Sequence, residues 1–253
     1  MLVKTIKVDK LDTYVSDTRA AMGVLAAREA ALAIKKILAE KKFCNVVLAA
    51  APSQNEMLEA LLKEDIDFSR INAFHMDEYV GLDFEDKQSF AKYLYDHVFS
   101  HADFASVNYI SGKDDPDTAC QKYADLLEKF PPDVVCMGIG ENGHIAFNDP
   151  PVADFNDPKV IKKVQLDEIC RMQQVHDGCF ATIDDVPKYA LTLTVPTLMS
   201  AKYLICTVPA ITKANAVKAM LYGEYGEICP ATSLRTHDGA KMFLDKDSAS
   251  LVL

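Results

Sequence analysis

No apolar stretch in this chain approaches the roughly 20 residues that a membrane-spanning helix needs, and the opening segment MLVKTIKVDKLDTY has no signal-peptide core. The expected location is therefore the cytoplasm, with no membrane partner. Cys-x-x-Cys pairs are also missing. The seven cysteines, Cys44, Cys120, Cys136, Cys170, Cys179, Cys206 and Cys229, are an odd number scattered along the chain, which argues against a disulfide framework or a zinc knuckle. Free buried thiols are the simpler reading. Basic residues are in deficit, 27 against 37 acidic ones, and the net charge of −10 leaves no face for a nucleic-acid backbone. An anionic ligand must therefore be caught by local groups rather than by the overall field. The chain contains no internal repeat, low-complexity tract or linker.

What is present suits an ordinary soluble fold. With 253 residues, 49% hydrophobic and 25% charged, the chain can bury one large core, and a single domain over residues 1–253 is expected. Apolar runs alternate with helix-forming stretches. Thr18 to Lys42 reads as a helix that Asp17 or Thr18 caps. Phe43 to Ala51 reads as a strand, and Pro52 to Glu56 as a turn into a helix over Glu56 to Lys63, with Ser53 and Glu56 forming a capping box. Ile71 to Met76 is a short apolar strand that runs into Asp77, Glu78 and Tyr79. Helices are expected at Ser89 to Phe99 and Asp117 to Lys129. Further on, Lys159 to Gln165 reads as a strand and Asp167 to Val175 as helical or irregular. Tyr189 to Val195 alternates like a half-exposed strand, and Tyr203 to Val208 reads as a buried one. A helix over Lys213 to Leu221 follows, then a loop with Arg235 and His237, then a strand over Lys241 to Leu244. This alternation predicts an α/β fold: a single doubly wound, mainly parallel sheet with helices on both faces.

The stretch around Val134 to Pro151 organises the rest. Val134, Val135, Cys136 and Met137 form a short apolar run suited to a strand buried on both faces. Gly138, Gly140 and Gly143 then permit a sharp turn and a close approach to a ligand, ahead of His144 and Asp149. The glycines match the dinucleotide fingerprint, but that motif needs a helix opening at its third glycine. Here Pro150 and Pro151 forbid a long one, and the dinucleotide reading is rejected. Asp77 and Glu78 at a strand end are open to two readings: a partly desolvated carboxylate tuned as a base, or a solvated acidic loop. Lys213, in the first turn of a helix, reads either as an anion clamp or as a surface lysine.

Two blocks together resemble the glucosamine-6-phosphate deaminase (isomerase) family: His75-Met76-Asp77-Glu78-Tyr79-Val80-Gly81-Leu82 and Gly138-Ile139-Gly140-Glu141-Asn142-Gly143-His144-Ile145-Ala146-Phe147-Asn148-Asp149-Pro150. A third block, Val186 to Thr192, resembles it too, and the similarity spans nearly the full length. The resemblance implies conversion of an amino-sugar 6-phosphate, glucosamine or galactosamine, to a keto-sugar phosphate with loss of ammonia. It implies no metal or organic cofactor, and a homo-oligomer. Carried over, His144 moves a proton at the ring oxygen to open the sugar, and Asp77 takes the C2 proton and returns it at C1. Asp149 and Asn142 complete the catalytic set. Substrate-binding candidates are Lys213, Ser53, Gln54, Gly140, Gly143, Glu78 and His176.

The departures from the family pattern are local. Asp149 stands where glutamate is usual, and Asn142 where some members have aspartate. A misplacement of about 1 Å can cost on the order of a hundredfold in rate, so ring opening is the step most exposed to the shorter side chain. In place of a Gly/Ser/Thr-rich phosphate loop the chain has Ala49 to Glu56, and His176 falls near a family arginine. Three rivals remain open: a 6-phosphogluconolactonase-like hydrolase, a non-catalytic sugar-phosphate sensor, and a metal site built from His75, Asp77 and His144.

Overall fold

The computed structural model describes residues 1–253. In chain order the strands are β1 (Leu2–Val8), β2 (Leu11–Ser16), β3 (Cys44–Leu48), β4 (Ile71–His75), β5 (Asp77–Tyr79), β6 (Ser106–Asn108), β7 (Val134–Met137), β8 (Ile161–Gln165), β9 (Tyr189–Leu193), β10 (Tyr203–Val208) and β11 (Ala240–Leu244). The helices are α1 (Arg19–Glu40), α2 (Asn55–Leu61), α3 (Phe90–His97), α4 (Pro116–Lys129), α5 (Glu168–His176), α6 (Val195–Met199) and α7 (Ala214–Tyr222).

Eight strands form the main sheet in the order β1-β2-β11-β10-β7-β3-β4-β6, parallel except for the β1–β2 hairpin at one edge. Its central strands are buried throughout, because helices cover both faces. Val135 and Met137 join one cluster of 33 buried residues, whereas Val134 and Cys136 join another of 32. This is why these strands read as continuous apolar runs rather than alternating ones. The doubly wound, mainly parallel sheet expected from the sequence is present.

Two features go beyond that expectation. The opening segment, MLVKTIKVDKLDTY, provides β1 and most of β2. The chain also leaves the main sheet after β4 and builds a second, antiparallel sheet in the order β5-β9-β8. Asp77 and Glu78 therefore lie in a strand and are buried, which overturns the solvated-loop reading. β9 is the middle strand of this small sheet, so only Tyr189 is exposed and Ala190 to Leu193 are buried. The half-exposed reading of that segment is corrected accordingly.

The winding of the strand order reverses between the parallel neighbours β3 and β7. From β3 the strands run outward through β4 to β6, and from β7 through β10 to β11. A crevice opens at the carboxyl ends where two such series part. Here that end receives Ala49 to Gln54 from β3, Asp77 beyond β4, and Gly138 to His144 from β7.

The β3 loop is set by helix packing rather than by the expected capping box. Thr18, not Asp17, caps α1, its hydroxyl accepting from the Ala21 amide at 3.1 Å. On the next turn Gly23 lets α2 lie against α1. A Cβ at that position would fall 2.5 Å from the Glu56 Cβ and 2.7 Å from its carbonyl carbon. The close approach brings Glu56 opposite Arg19, whose Nε lies 2.7 Å from Oε1. Glu56 is thus drawn to Arg19, and α2 begins after a short 3-10 turn, Pro52–Gln54, with no side-chain cap. Gly23→Ala tests this packing. Alanine favours a helix interior by about 1 kcal/mol, whereas overpacking typically costs about 1–3 kcal/mol. The expected outcome is a melting temperature lowered by several degrees in a thermal scan, and a rise would show that α2 moves freely.

Candidate functional site

A cleft lies at this crevice. Its lining includes Ser53, Gln54, Asp77, Gly138, Gly140 and His144, with Gln173 and Gln174 of α5 along one side. Among the expected site residues, Asp77, His144, Ser53, Gln54 and Gly140 are brought together here. Asn142, Asp149 and Gly143 stand behind His144 rather than on the lining. Lys213 is buried nearby, its Nζ without a partner, and lies outside the lining.

Two residues are placed away from the cleft. Glu78 is turned from it and accepts from the amides of Tyr79, Phe90 and Ala91 at 2.9, 3.1 and 2.9 Å, and from the Ser89 hydroxyl at 2.8 Å. It anchors the N-terminus of α3, where free amides and the helix dipole favour a carboxylate. Its assignment to substrate binding is corrected to this structural role. His176, at the end of α5, is exposed, with Nδ1 3.6 Å from Glu141, so it does not supply an arginine's place in the cleft.

Asp77 and Glu78 show how neighbouring carboxylates diverge. Glu78 is held by four donors, whereas Asp77 is acted on by burial first and by the adjacent Glu78 second, both of which push its carboxyl well above the usual range. His75 holds the bend at Met76 that joins β4 to β5. The Ile110 amide donates to its Nε2 at 2.8 Å, so Nδ1 carries the hydrogen and donates to the Asp77 carbonyl at 2.9 Å. Complete burial depresses its imidazole to about 4. With both nitrogens engaged, His75 is not available to a metal trio with Asp77 and His144. The ligand-type atoms that do converge belong to His144, Asp149 and Cys170, within 4.8 Å of one another.

His144 is shaped by the glycines around it. A Cβ on Gly140 would fall 2.1 to 2.3 Å from three atoms of the imidazole, so the ring lies directly on that backbone. Gly143 has φ of +81°, and the space where its Cβ would stand is filled by the Cys229 sulfur at 2.6 Å. Ala146 also adopts a positive φ, 50°, in the tight loop between His144 and Asp149. Nδ1 of His144 lies 2.9 Å from Oδ1 of Asp149 without a well-directed hydrogen bond. Asn142 ties the pair: its Nδ2 donates to Asp149 at 3.0 Å and its Oδ1 accepts from the His144 amide at 3.0 Å. Burial alone would raise the Asp149 carboxyl, but His144, Asn142 and the Asp167 amide hold it below its usual value.

Some residues that shape the site carry no motif. Cys170 of α5 presents its thiol to Asp149, and burial raises it well above the ordinary range. Gln173 accepts from the Glu141 amide at 2.9 Å, joining α5 to the His144 loop. The only sequence signal was Asp167, the cap that starts α5. For Lys213, burial lowers the ammonium, with Asp177 and Glu141 acting against that.

Comparison with known proteins agrees with this geometry. Residues 17–243 match the family described as glucosamine-6-phosphate isomerases/6-phosphogluconolactonase. The chain belongs to this family. It is 34% identical over 219 residues to the glucosamine-6-phosphate deaminases of Bacillus cereus (strain B4264) and Bacillus anthracis (strain A0248), a match covering 86% of this chain and 82% of each relative. A solved monomeric glucosamine-6-phosphate deaminase superposes with a TM-score of 0.86 at 31% identity, covering 94% of this chain and 99% of the other. The 6-phosphogluconolactonase of Thermotoga maritima superposes at 0.76 with 20% identity over 92% and 99%, a likeness of fold.

Gly140→Ala is the sharpest test of the His144 geometry. The methyl group displaces the imidazole, and turnover is expected to fall about a hundredfold or more with the circular dichroism spectrum unchanged. Turnover within a factor of two of wild type would remove His144 from the chemistry.

Proposed function

We propose that this chain isomerises and deaminates an amino-sugar 6-phosphate, releasing a ketohexose 6-phosphate and ammonia. The observation that carries the reading is the convergence of Asp77, a buried carboxylate free of donors, and His144, an oriented imidazole, on one cleft. His144 moves a proton at the ring oxygen to open the pyranose. Asp149 and Asn142 orient the imidazole from behind. Asp77 takes the proton from C2 of the open aldose and delivers it to C1. The resulting C2 imine adds water and loses ammonia, so substrate and one water balance the two products. Lys213 and the Ser53–Gln54 turn receive the distal phosphate.

The chain acts as one domain, residues 1–253, and every group invoked comes from a single copy. No helix is long and apolar enough to cross a membrane. A cytoplasmic location and a homo-oligomer remain part of this proposal, and the solved relative at 31% identity is described as monomeric. Sedimentation of the purified protein decides the second point.

Ammonia release from glucosamine 6-phosphate and galactosamine 6-phosphate, measured beside Asp77→Asn, tests the reading. The variant is expected to lose about 10²- to 10⁴-fold in turnover, the range a positioned base supplies. A wild type that releases no ammonia but hydrolyses a phosphogluconolactone would replace the proposal with the hydrolase. Because Asp77 must be ionised to act, turnover should fall as the pH drops through its raised value, above the usual carboxylate range. The same shift has a stability sign: a carboxyl raised in the folded state favours folding at low pH and loses that contribution as the pH rises through the folded value. Asp77→Asn is therefore expected to melt higher than wild type at neutral pH, by roughly 2–4 °C for each kcal/mol. Lys213→Ala should raise the KM far more than it lowers the rate at saturation, and an unchanged KM would sink Lys213 as a phosphate ligand.

A further inference from the structure

We propose that His144, Asp149 and Cys170 form a site for a borderline-soft divalent cation of the zinc class, and that the ion, once bound, takes His144 out of proton transfer. The site is a brake on the reaction rather than a part of it. Its existence does not rest on which reaction the cleft performs.

These are the one set of three histidine, cysteine or carboxylate side chains whose ligand-type atoms converge, all within 4.8 Å of one another. All three residues are more than nine-tenths buried. Nδ1 of His144 has no hydrogen-bond partner, although it lies 2.9 Å from Oδ1 of Asp149. A ring nitrogen left unpaired in so buried a place calls for a ligand. Zinc binds histidine at about 2.0–2.1 Å, carboxylate at about 2.0–2.2 Å and thiolate at about 2.3 Å. Tetrahedral angles at those lengths set the donor atoms roughly 3.3–3.6 Å apart. The trio straddles that spacing, and water completes the four ligands.

The carboxylate is also reached from a second direction. Asp149 and Asp167, with Pro151, Val152, Gln165 and Leu166, line a cavity of about 220 Å³ that shares no residue with the cleft. Two carboxylates and no basic side chain line it, which suits the passage of a cation. The donor set chooses among cations. Magnesium and calcium take oxygen ligands, whereas nitrogen and sulfur beside one carboxylate suit zinc. An orienting carboxylate needs only the imidazole and its own donors, so the dyad leaves the Cys170 sulfur without a role. On binding, the thiol hydrogen of Cys170 leaves to solvent, and the imidazole keeps its one hydrogen on Nε2 while the ion takes Nδ1. Both ring nitrogens are then filled, and His144 accepts no proton.

The test is titration of the full chain, reduced and stripped of metal by a chelator, with cobalt(II), followed by absorption. Cobalt stands in for zinc and reports its ligands. The expected result is a thiolate-to-cobalt band in the near ultraviolet together with the visible bands of a four-coordinate ion, both lost when zinc is added. Cys170→Ser is expected to abolish the thiolate band. Asp149→Asn should weaken binding by at least the roughly 10- to 100-fold that loss of even an outer-shell partner costs. No thiolate band in the wild type overturns the proposal, and so does unchanged affinity in Asp149→Asn. A band that persists in Cys170→Ser puts the ion on another cysteine and overturns it as well. Should Cys170→Ser fail to fold, the anomalous-scattering peak of a wild-type crystal grown with cobalt decides: a peak among the three side chains sustains the site, and a peak elsewhere removes it. Zinc should also stop whatever turnover the wild type shows, with a chelator restoring it, and full turnover with the ion bound overturns the brake. Because binding is read without turnover, a protein that releases no ammonia but holds cobalt at Cys170 loses only the deaminase reading.

Discussion

Burying the carboxylate of Asp77 without giving it a hydrogen-bond donor is the constraint around which this structure is arranged. An ionised group in such surroundings is costly, so the protein must hold the backbone firmly enough that Asp77 cannot swing out to water. The holding is visible residue by residue. His75 fixes the Asp77 carbonyl from one side, the Leu193 amide donates to the Met76 carbonyl at 2.8 Å, and Glu78 is locked into the start of α3. The second sheet exists where it is needed for this, since β5 pairs with β9 across Asp77 and Thr192. Thr192 in turn accepts from the Phe147 amide at 3.1 Å, which ties the Asp77 strand to the loop that carries His144. Asp77 follows β4 and the His144 loop follows β7, two strands of the main sheet, and both are braced by the same small sheet.

The shorter Asp149 is accommodated by crowding rather than by reach. A glutamate would extend further toward the imidazole; here Asn142 closes the gap and the Asp167 amide, at 3.3 Å, draws the carboxylate toward the N-terminus of α5. That helix also carries Gln173 and Gln174 into the cleft. The dyad and the cleft wall therefore share one element. A displacement of α5 would disturb both the His144–Asp149 pair and the cleft wall.

Much of this was legible in the sequence, for identifiable reasons. Fully buried parallel strands leave unbroken apolar runs, and Val134 to Met137 and Tyr203 to Val208 were read correctly on that basis. The placement of Gly140 and His144 at the cleft was legible because a glycine-rich turn running into a histidine leaves a compact motif. β1 was not, because as an exposed edge strand rich in lysine it has no apolar pattern of its own. Glu78 misled for a different reason: adjacent carboxylates look alike in sequence, and only the amides of residues 79, 90 and 91 decide that one is a structural anchor. The Ser53–Glu56 capping box failed because a local signal was outcompeted by a tertiary contact. Gly23 lets α2 approach α1, and Arg19 then offers Glu56 a better partner than the Ser53 backbone.

The relation to the lactonase fold follows from where variation is tolerated. The main sheet fixes the crevice, and His144 on its glycine bed suits either proton transfer to a ring oxygen or activation of water. The strand exchange at Met76 turns the chain out of the main sheet and leaves Asp77 at the cleft. A shared sheet and switch point do not by themselves fix the reaction, which depends on the side chains the loops bring to the crevice. The altered Ser53–Gln54 turn reaches the same cleft from β3, so it can vary without disturbing the strand exchange that places Asp77.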